Sequence, residues 1–236
     1  LKLFIRLTYP FANGIIAVSN GVKNDLKQIS NLSSNKIKVI NNPITKQMSY
    51  YKTIEDKDKL WGGKYTYNIL SIGRLKKQKD HKTLINAFSL LTNDINAKLI
   101  IFGVGPLKDE LSLLINQLGL NNRIILAGFV QDPSPWLKTA DLFVLSSQWE
   151  GFGNVIVESL QFGVPVVSTD CPSGPAEILD NGMYGTLVQP ADPVALSLAI
   201  KNSLLKNHDK ELLIRRAQDF SVDKISNQYL NYMGFV

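Results

Sequence analysis

Two glutamates stand eight residues apart in the segment QWEGFGNVIVES, which spans residues 148–159. The pattern places Glu150 in a loop and Glu158 in the helix that follows, with the glycine-bracketed turn Gly151–Gly153 between them. The first N–H groups of a helix have no intrahelical partner and the helix dipole favours negative charge, so such a helix start binds anions. The segment therefore predicts a site for a diphosphate, with a sugar on one side and a ribose on the other.

The predicted helix around Glu158 is apolar, since residues 155–160 supply valine, isoleucine and leucine side chains. A carboxylate is costly to bury there unless it meets a partner or a ligand, and the hydroxyl groups of a ligand would be such partners. Asn154 is expected to help order the start of the helix. We therefore interpret Glu158 as a ligand-binding residue.

A basic loop follows the predicted strand 68–72. Gly73 allows the backbone to approach a ligand closely, Arg74 offers a planar fork for phosphate oxygens, and Lys79 adds a compact charge. In an open α/β sheet, ligands bind beyond the carboxyl ends of the strands, where this loop begins. A solvated basic loop is the alternative, and the loop taken alone does not decide between the two.

Two further glycine-containing turns follow predicted strands. Gly103 and Gly105 supply two of the three glycines of the dinucleotide fingerprint, but the third is missing and Pro106 opens the next helix. A tight strand-to-helix turn is therefore favoured over an NAD site. After Gly128, the extended backbone at Val130 could hydrogen-bond the edge of a base, but this segment taken alone favours a core and turn role.

Short apolar runs alternate with amphipathic stretches from residue 67 onward, which predicts βαβ units in a Rossmann-like, doubly wound parallel sheet of the α/β class. The predicted strands are 68–72, 98–102, 123–127, 141–145, 164–168 and 185–188. The predicted helices are 83–91, 107–118, 133–139, 154–162, 174–179, 193–205 and 210–220.

Both ends of the chain differ from this pattern. Residues 1–42 read as strand, helix and strand (15–18, 20–29 and 36–40), closed by the turn signal Asn41-Asn42-Pro43. Residues 45–64 are polar and resemble a linker or exposed excursion, and 221–236 form a last amphipathic stretch. The chain lacks an initiator methionine and begins within a helical pattern, so we interpret it as a fragment of a longer protein.

Composition restricts the function further. The chain has 236 residues, 44% of them hydrophobic, with a formal net charge of +6 that suits anionic partners. One cysteine, Cys171, permits no intrachain disulfide, and with only His81 and His208 we expect no metal site and assign neither histidine to catalysis. No apolar run approaches the roughly 20 residues of a membrane span. Aromatic residues do not interleave with the basic run at 76–79, which argues against nucleic acid.

These motifs resemble the nucleotide-binding C-terminal half of a retaining glycosyltransferase of family 4, with the GT-B architecture. The Glu-x7-Glu element with Gly-Phe-Gly inside it is the most specific match. Supporting matches occur in the family's order at Gly73-Arg74 with Lys79, Gly103–Pro106, Gly128–Val130, Gly163–Val167 and Ser173–Glu177. The resemblance implies three parts: residues 1–42 as a remnant of the N-terminal acceptor domain and linker, 43–220 as the sugar-nucleotide domain, and 221–236 as a helix that packs on the missing N-terminal domain.

The resemblance also implies roles for the phosphate and ribose contacts. Arg74 and Lys79 would neutralise the diphosphate of a UDP- or GDP-sugar without a metal or other cofactor. Backbone groups of Gly151, Phe152 and Gly153, with Asn154 at the helix start, would support the phosphate and the sugar hydroxyls.

Three residues would contact the rest of the donor. Glu158 would accept hydrogen bonds from the ribose, Val130 would offer backbone contacts to the base, and Glu150 would lie by the transferred sugar as the catalytic residue. A nucleophilic and an orienting role for Glu150 both stay open.

The function implied is hexosyl transfer, with retention of configuration, from a nucleoside diphosphate sugar to the acceptor of a surface polysaccharide or glycolipid. The saccharide or lipid-linked acceptor would bind mainly the missing domain, so this chain alone is expected to bind donor weakly and transfer no sugar. The expected location is the cytoplasm, with peripheral contact at the inner face of the membrane. A sugar-nucleotide epimerase of the same fold and a non-catalytic nucleotide-binding module are the alternatives.

Overall fold

The computed structural model describes residues 2–30, 32, 34–45, 57–63, 65–91 and 95–235. Six parallel strands form one sheet in the order β5-β4-β3-β6-β7-β8, and β1 and β2 form a second, two-stranded parallel sheet. The strands are β1 Ile15–Ala17, β2 Ile37–Val39, β3 Tyr67–Ile72, β4 Ala97–Phe102, β5 Ile124–Gly128, β6 Leu142–Leu145, β7 Val166–Thr169 and β8 Thr186–Val188. The predicted α/β class and parallel sheet are confirmed.

The α-helices cover both faces of the six-stranded sheet. They are α1 Lys2–Thr8, α2 Asn20–Ser30, α3 Lys57–Trp61, α4 His81–Ser89, α5 Lys108–Gln117, α6 Ser134–Thr139, α7 Asn154–Gln161, α8 Pro175–Ile178, α9 Pro193–Leu205, α10 Lys210–Gln218 and α11 Val222–Met233. Successive strand residues point to opposite faces, so Ile69 enters one hydrophobic cluster and Leu70 the other. Burial on both faces explains why the strands are continuous apolar runs in the sequence.

The chain reverses its direction of sheet growth between β3 and β6. It lays β4 and β5 on one side of β3, then returns to place β6, β7 and β8 on the other side. In this kind of sheet the ligand crevice opens beyond the carboxyl ends of the strands at the reversal. The loops that follow β3 and β6 therefore border the crevice.

Part of the predicted linker 45–64 is folded into the core, which corrects that expectation. Residues 46–56 and 64 lie outside the described residues, but Lys57–Trp61 forms α3. Trp61 is 1% exposed, and its indole N–H donates to the Thr139 hydroxyl at 2.9 Å. A large aromatic surface with a satisfied N–H is stable in the core, and the polar residues around Trp61 concealed this in the sequence.

The C-terminal helix α11 contacts the N-terminal part of the chain, residues 1–42, which we call the first lobe. A Cβ built on Gly14 would lie 2.3 Å from the Tyr232 hydroxyl oxygen, so this tyrosine sits directly on the glycine. Tyr232 and Phe235 are 37% and 75% exposed, whereas Tyr229 is half-buried. The three-part division of the chain and the packing of 221–236 on a further domain stay predictions.

Candidate functional site

The crevice holds a closely paired lysine and glutamate. Lys79, from the loop after β3, donates to Oε1 of Glu150, from the loop after β6, at 2.5 Å. The two side chains are only 16% and 8% exposed, so water screens their attraction weakly. The structure thus joins two predicted site residues that stand 71 positions apart in the sequence.

Gly73 and Arg74 lie beside this pair. A Cβ on Gly73 would lie 3.0 Å from Cγ and Cδ of Lys79, so the lysine stem passes directly over the glycine. Arg74 is exposed and forms no ion pair with any other residue that the structure describes. Arg74 is therefore available for an anionic ligand, while Lys79 already neutralises a carboxylate.

His81, the first residue of α4, is buried. It is 3% exposed, and its Nε2 lies 3.2 Å from the carbonyl oxygen of Gly73. Because a carbonyl oxygen only accepts, Nε2 carries the proton. Burial lowers the pKa of His81 to about 4, so the ring is neutral near neutral pH and supports the end of β3 as an uncharged donor.

The glycine turn after Glu150 leads into α7 as predicted, but its capping differs. Gly153 is the N-cap residue and no side chain caps the helix, so Asn154 is its first helical residue and does not cap it. The Asn154 Oδ1 instead accepts from the Asn42 side-chain amide at 2.8 Å. Phe152 is 2% exposed and packs edge-on against Phe220, with ring centroids 5.5 Å apart, so only its backbone can face a ligand.

Glu158 lies inside α7 without a hydrogen-bond partner among the described residues. Burial raises the pKa of its carboxyl group, because desolvation disfavours the charged form. The carboxylate is half-buried and has no protein partner there, and its role as a ligand residue stays a prediction. Val130 packs partly against the second hydrophobic cluster, while the neighbouring Phe129 is 76% exposed.

The first lobe also reaches this region, which the sequence did not reveal. Ser19 is fully buried, and its hydroxyl donates to the Gly151 carbonyl at 2.7 Å. The Glu177 carboxylate accepts from the backbone N–H groups of Asn20, at 2.8 Å, and Gly21, at 3.2 Å. Residues at the start of α2 are thus tied to the loops that carry the glycine turn and α8.

Three further observations concern the turn after β4, groups that could hold a metal ion, and the length of the helices. A Cβ on Gly103 would lie 1.9 Å from the Gly73 carbonyl oxygen, so the glycine permits a close approach of the ends of β3 and β4. Within the described ranges, no group of three or more His, Cys, Asp or Glu residues is arranged to hold a metal ion. Every described helix falls short of the length and apolar content that a membrane crossing requires.

Comparisons with known proteins agree with this architecture. A sequence profile of the family "Glycosyl transferases group 1" matches residues 53–220. The chain is 36% identical to a Campylobacter jejuni N-acetylgalactosamine-N,N'-diacetylbacillosaminyl-diphospho-undecaprenol 4-alpha-N-acetylgalactosaminyltransferase, over 98% of this chain and 63% of that relative. It is 32% identical to an uncharacterized glycosyltransferase of Methanocaldococcus jannaschii, over 94% of this chain and 63% of that relative.

Solved structures show the same likeness. The crystal structure of Anabaena HepE in complex with UDP and glucose superposes with a TM-score of 0.86 at 26% identity, covering 100% of this chain and 66% of that one. The six-stranded parallel sheet with its flanking helices thus matches structures of GT-B glycosyltransferases. The chain spans a little under two thirds of the length of these relatives.

Proposed function

Because the chain belongs to the group 1 glycosyl transferases, on a profile that covers residues 53–220, we propose that it binds the nucleoside diphosphate sugar donor of such an enzyme. The observation that carries the proposal is the Lys79–Glu150 pair in the crevice where the sheet reverses. A cation for a diphosphate and a carboxylate for a sugar stand together there, beside the exposed Arg74. The UDP complex of Anabaena HepE supports a uridine nucleotide as the donor.

The donor contacts that we propose divide between two loops and one helix. Arg74 and Lys79 neutralise the diphosphate, and backbone N–H groups at the start of α7 support its oxygens. The carboxylate of Glu158 accepts hydrogen bonds from the ribose hydroxyls, which gives this half-buried group the partners that it lacks among the described residues. The backbone at Val130 contacts the base, with no metal required.

The reaction that we propose is hexosyl transfer with retention of configuration. The bond between the anomeric carbon and the diphosphate oxygen breaks, and the departing oxygen takes the electron pair. A hydroxyl oxygen of the acceptor bonds to that carbon from the face that the diphosphate leaves, which retains the configuration, and its proton passes to the departing diphosphate oxygen. Fixed cations and N–H groups stabilise the departing diphosphate, and the Glu150 carboxylate stabilises positive charge that develops on the sugar. Preorganised groups of this kind lose little energy to reorganisation during the reaction.

The remaining third of the relatives' length bears on the acceptor. We propose that residues 1–42 belong to an acceptor domain, that a saccharide or lipid-linked acceptor binds mainly there, and that the 236-residue chain alone transfers no sugar. Lipid-linked chemistry in the name of the Campylobacter relative supports such an acceptor. Measuring transfer by this chain beside the full-length protein tests the proposal, and equal activities would refute it.

Residues 1–42 also support a peripheral membrane contact. They carry six Lys and Arg residues against one Asp, so most of the net charge of +6 lies in this lobe. We propose that the lobe faces an anionic membrane on the cytoplasmic side, where basic residues attract acidic lipids. Equal co-sedimentation of the full-length protein with neutral and anionic vesicles would contradict this contact.

Replacing Arg74 with alanine is expected to weaken the binding of UDP by about 10- to 100-fold, because a charge-assisted phosphate contact is lost. Isothermal titration of the chain with UDP, GDP and the corresponding monophosphates measures the effect. Lys76→Ala is the matched control, since Lys76 is an exposed cation of the same loop and is expected to leave affinity within about twofold. If the folded wild-type chain binds none of these nucleotides, the donor-site proposal fails.

Product analysis separates transfer from the two alternative functions. The full-length protein is incubated with the donor that binds and with candidate acceptors, and the products are identified by NMR. A glycosylated acceptor supports transfer, and the configuration of its new linkage tests retention. A free epimerised sugar nucleotide would identify an epimerase, and no turnover with tight nucleotide binding would identify a binding module.

Replacing Glu158 with glutamine is expected to separate stability from binding. Removal of the half-buried charge should stabilise the folded chain by about 1 kcal/mol, whereas the loss of a strong acceptor for the ribose hydroxyls should weaken the binding of UDP by about tenfold or more. Thermal unfolding and UDP titration measure the two effects. Glu211→Gln on α10 is the control, because that side chain is 88% exposed and should change neither quantity.

The stability difference at Glu158 should depend on pH in a defined direction. Burial raises the pKa of the folded-state carboxyl group, so the ionised form costs stability above that pKa. As pH falls through the raised pKa the carboxyl becomes protonated and the cost disappears. The stability advantage of Glu158→Gln should therefore shrink toward acidic pH, and an advantage that grows on acidification would contradict the assignment.

A further inference from the structure

We infer that Ser147 is a positioning residue that orients the Glu150 carboxylate toward the transferred sugar, an inference that rests on the proposed function. Ser147 directly follows Ser146 at the carboxyl end of β6 and is fully buried. Its hydroxyl donates to Oε1 of Glu150 at 2.6 Å. The sequence shows that a strand ends in two hydroxyl groups at Ser146 and Ser147, but it does not show what they contact.

Both donors to the Glu150 carboxylate converge on the same oxygen. Oε1 accepts from the Ser147 hydroxyl at 2.6 Å and from the Lys79 ammonium at 2.5 Å. Oε2 has no hydrogen-bond partner among the residues that the structure describes. Two donors on one oxygen hold Oε1 in place, so Oε2 is the oxygen of this carboxylate that can contact a ligand.

Ser147 is itself held by a neighbouring strand. Thr169, the last residue of β7, is fully buried, and its hydroxyl donates to the Ser147 carbonyl at 2.6 Å. The adjacent Ser146 donates to the Lys79 carbonyl at 2.8 Å. The ends of β6 and β7 and the loop after β3 are thus cross-linked around Glu150, which keeps the serine hydroxyl in place when the lysine is drawn toward a ligand.

This arrangement separates the tasks of Lys79 and Ser147. An arriving diphosphate competes for the Lys79 ammonium, because both the phosphate and Glu150 are anions that attract it. The Ser147 hydroxyl is neutral and buried, so it has no comparable reason to leave Oε1. Ser147 therefore preserves the carboxylate orientation in the donor complex, and its removal should impair turnover more than donor binding.

The test is a double-mutant cycle in the full-length protein, with Ser147→Ala, Glu150→Gln and the double variant. Ser147→Ala is expected to lower kcat by about 10- to 100-fold, with KM for the donor and the UDP affinity within about twofold of wild type. In the Glu150→Gln background, Ser147→Ala should lower kcat by less than about threefold, because the serine acts through the carboxylate. Radiolabelled donor allows the slow variants to be measured.

Ser159→Ala is the matched control. Ser159 is also fully buried and donates to a backbone carbonyl, that of Val155 at 2.7 Å, but it does not contact Glu150. Thermal unfolding of each variant separates lost stability from lost orientation. If Ser147→Ala does not fold, Ser147→Cys, which preserves the volume with a weaker donor, is carried through the same cycle.

The outcomes distinguish this inference from the proposed function. Equal factors for the serine variant in the wild-type and Glu150→Gln backgrounds would overturn the positioning role, as would a loss in kcat no larger than that of Ser159→Ala. Both results leave the glycosyltransferase proposal intact if wild-type protein transfers sugar and Glu150→Gln transfers it about a thousandfold more slowly. Absence of transfer by the wild-type protein would overturn both.

Discussion

Replacing Glu150 with glutamine is expected to lower the turnover of sugar transfer by about a thousandfold in the full-length protein. The amide preserves the size of the side chain and an oxygen that can accept from Ser147, but it removes the negative charge. In a site where the Glu150 side chain is only 8% exposed, water screens that charge weakly, so the sugar loses most of its electrostatic stabilisation in the transition state.

Unlike the turnover, the affinity for the donor should not fall when Glu150 is replaced with glutamine. Glu150 is an anion that pairs with Lys79, and it therefore competes with the diphosphate for the same ammonium group. Its neutralisation frees the lysine, so the affinity for UDP should be unchanged or higher in Glu150→Gln. Steady-state kinetics and isothermal titration of the same preparation measure both effects.

Glu110→Gln is the control for the loss of a lysine-paired glutamate. Glu110 lies 3.9 Å from Lys82, but its side chain is 58% exposed, and a pair so open to water contributes little. This variant should match wild type in kcat and in UDP affinity. Transfer by Glu150→Gln within tenfold of wild type would remove the catalytic role of Glu150.

The sheet could be predicted from the sequence because its strands are buried on both faces. The strand predicted at 68–72 is β3, Tyr67–Ile72, and the strand predicted at 98–102 is β4, Ala97–Phe102. Continuous apolar runs of that length leave few other structures open. The boundaries shift more at β7, predicted at 164–168 and found at Val166–Thr169, because Pro165 extends the apolar run without belonging to the strand.

The contacts inside the site could not be predicted in the same way. Sequence spacing places Lys79 and Glu150 at strand ends, but only the strand order brings β3 beside β6 and closes their ion pair. His81 and Ser147 were missed for a related reason. Each is a polar residue that the packed loops surround, and a sequence does not show which polar residues will be enclosed and which will face water.

The helix-capping error at Asn154 arose from a local rule that tertiary structure overrides. Asparagine is a favoured N-cap residue, yet Gly153 takes that position, and Asn154 faces Asn42 of the first lobe instead. A glycine at the cap leaves the first N–H groups of α7 without a side-chain partner. A helix start in that condition can accept an anionic ligand, and the phosphate role of this turn stays a prediction.

Replacing Gly174 with alanine is expected to be the most disruptive single change at a glycine of this chain. A Cβ there would lie 1.8 Å from the carbonyl oxygen of Phe152 and 2.6 Å from its Cα, both backbone atoms of the turn that leads into α7. Gly174 also has a φ of +98°, which L side chains rarely adopt. We expect a loss of more than about 3 kcal/mol in stability, together with the loss of UDP binding.

Gly182→Ala separates the collision from the backbone strain. Gly182 has a φ of +104°, close to that of Gly174, but a Cβ there meets no atom within 4 Å. Its substitution should cost only about 1 kcal/mol, seen as a fall of about 2–4 °C in Tm, and should leave UDP affinity unchanged. Because the two alanines differ mainly in what their Cβ meets, equal effects on Tm and on binding would show that the packing of the 173–177 loop against the glycine turn does not shape the donor site.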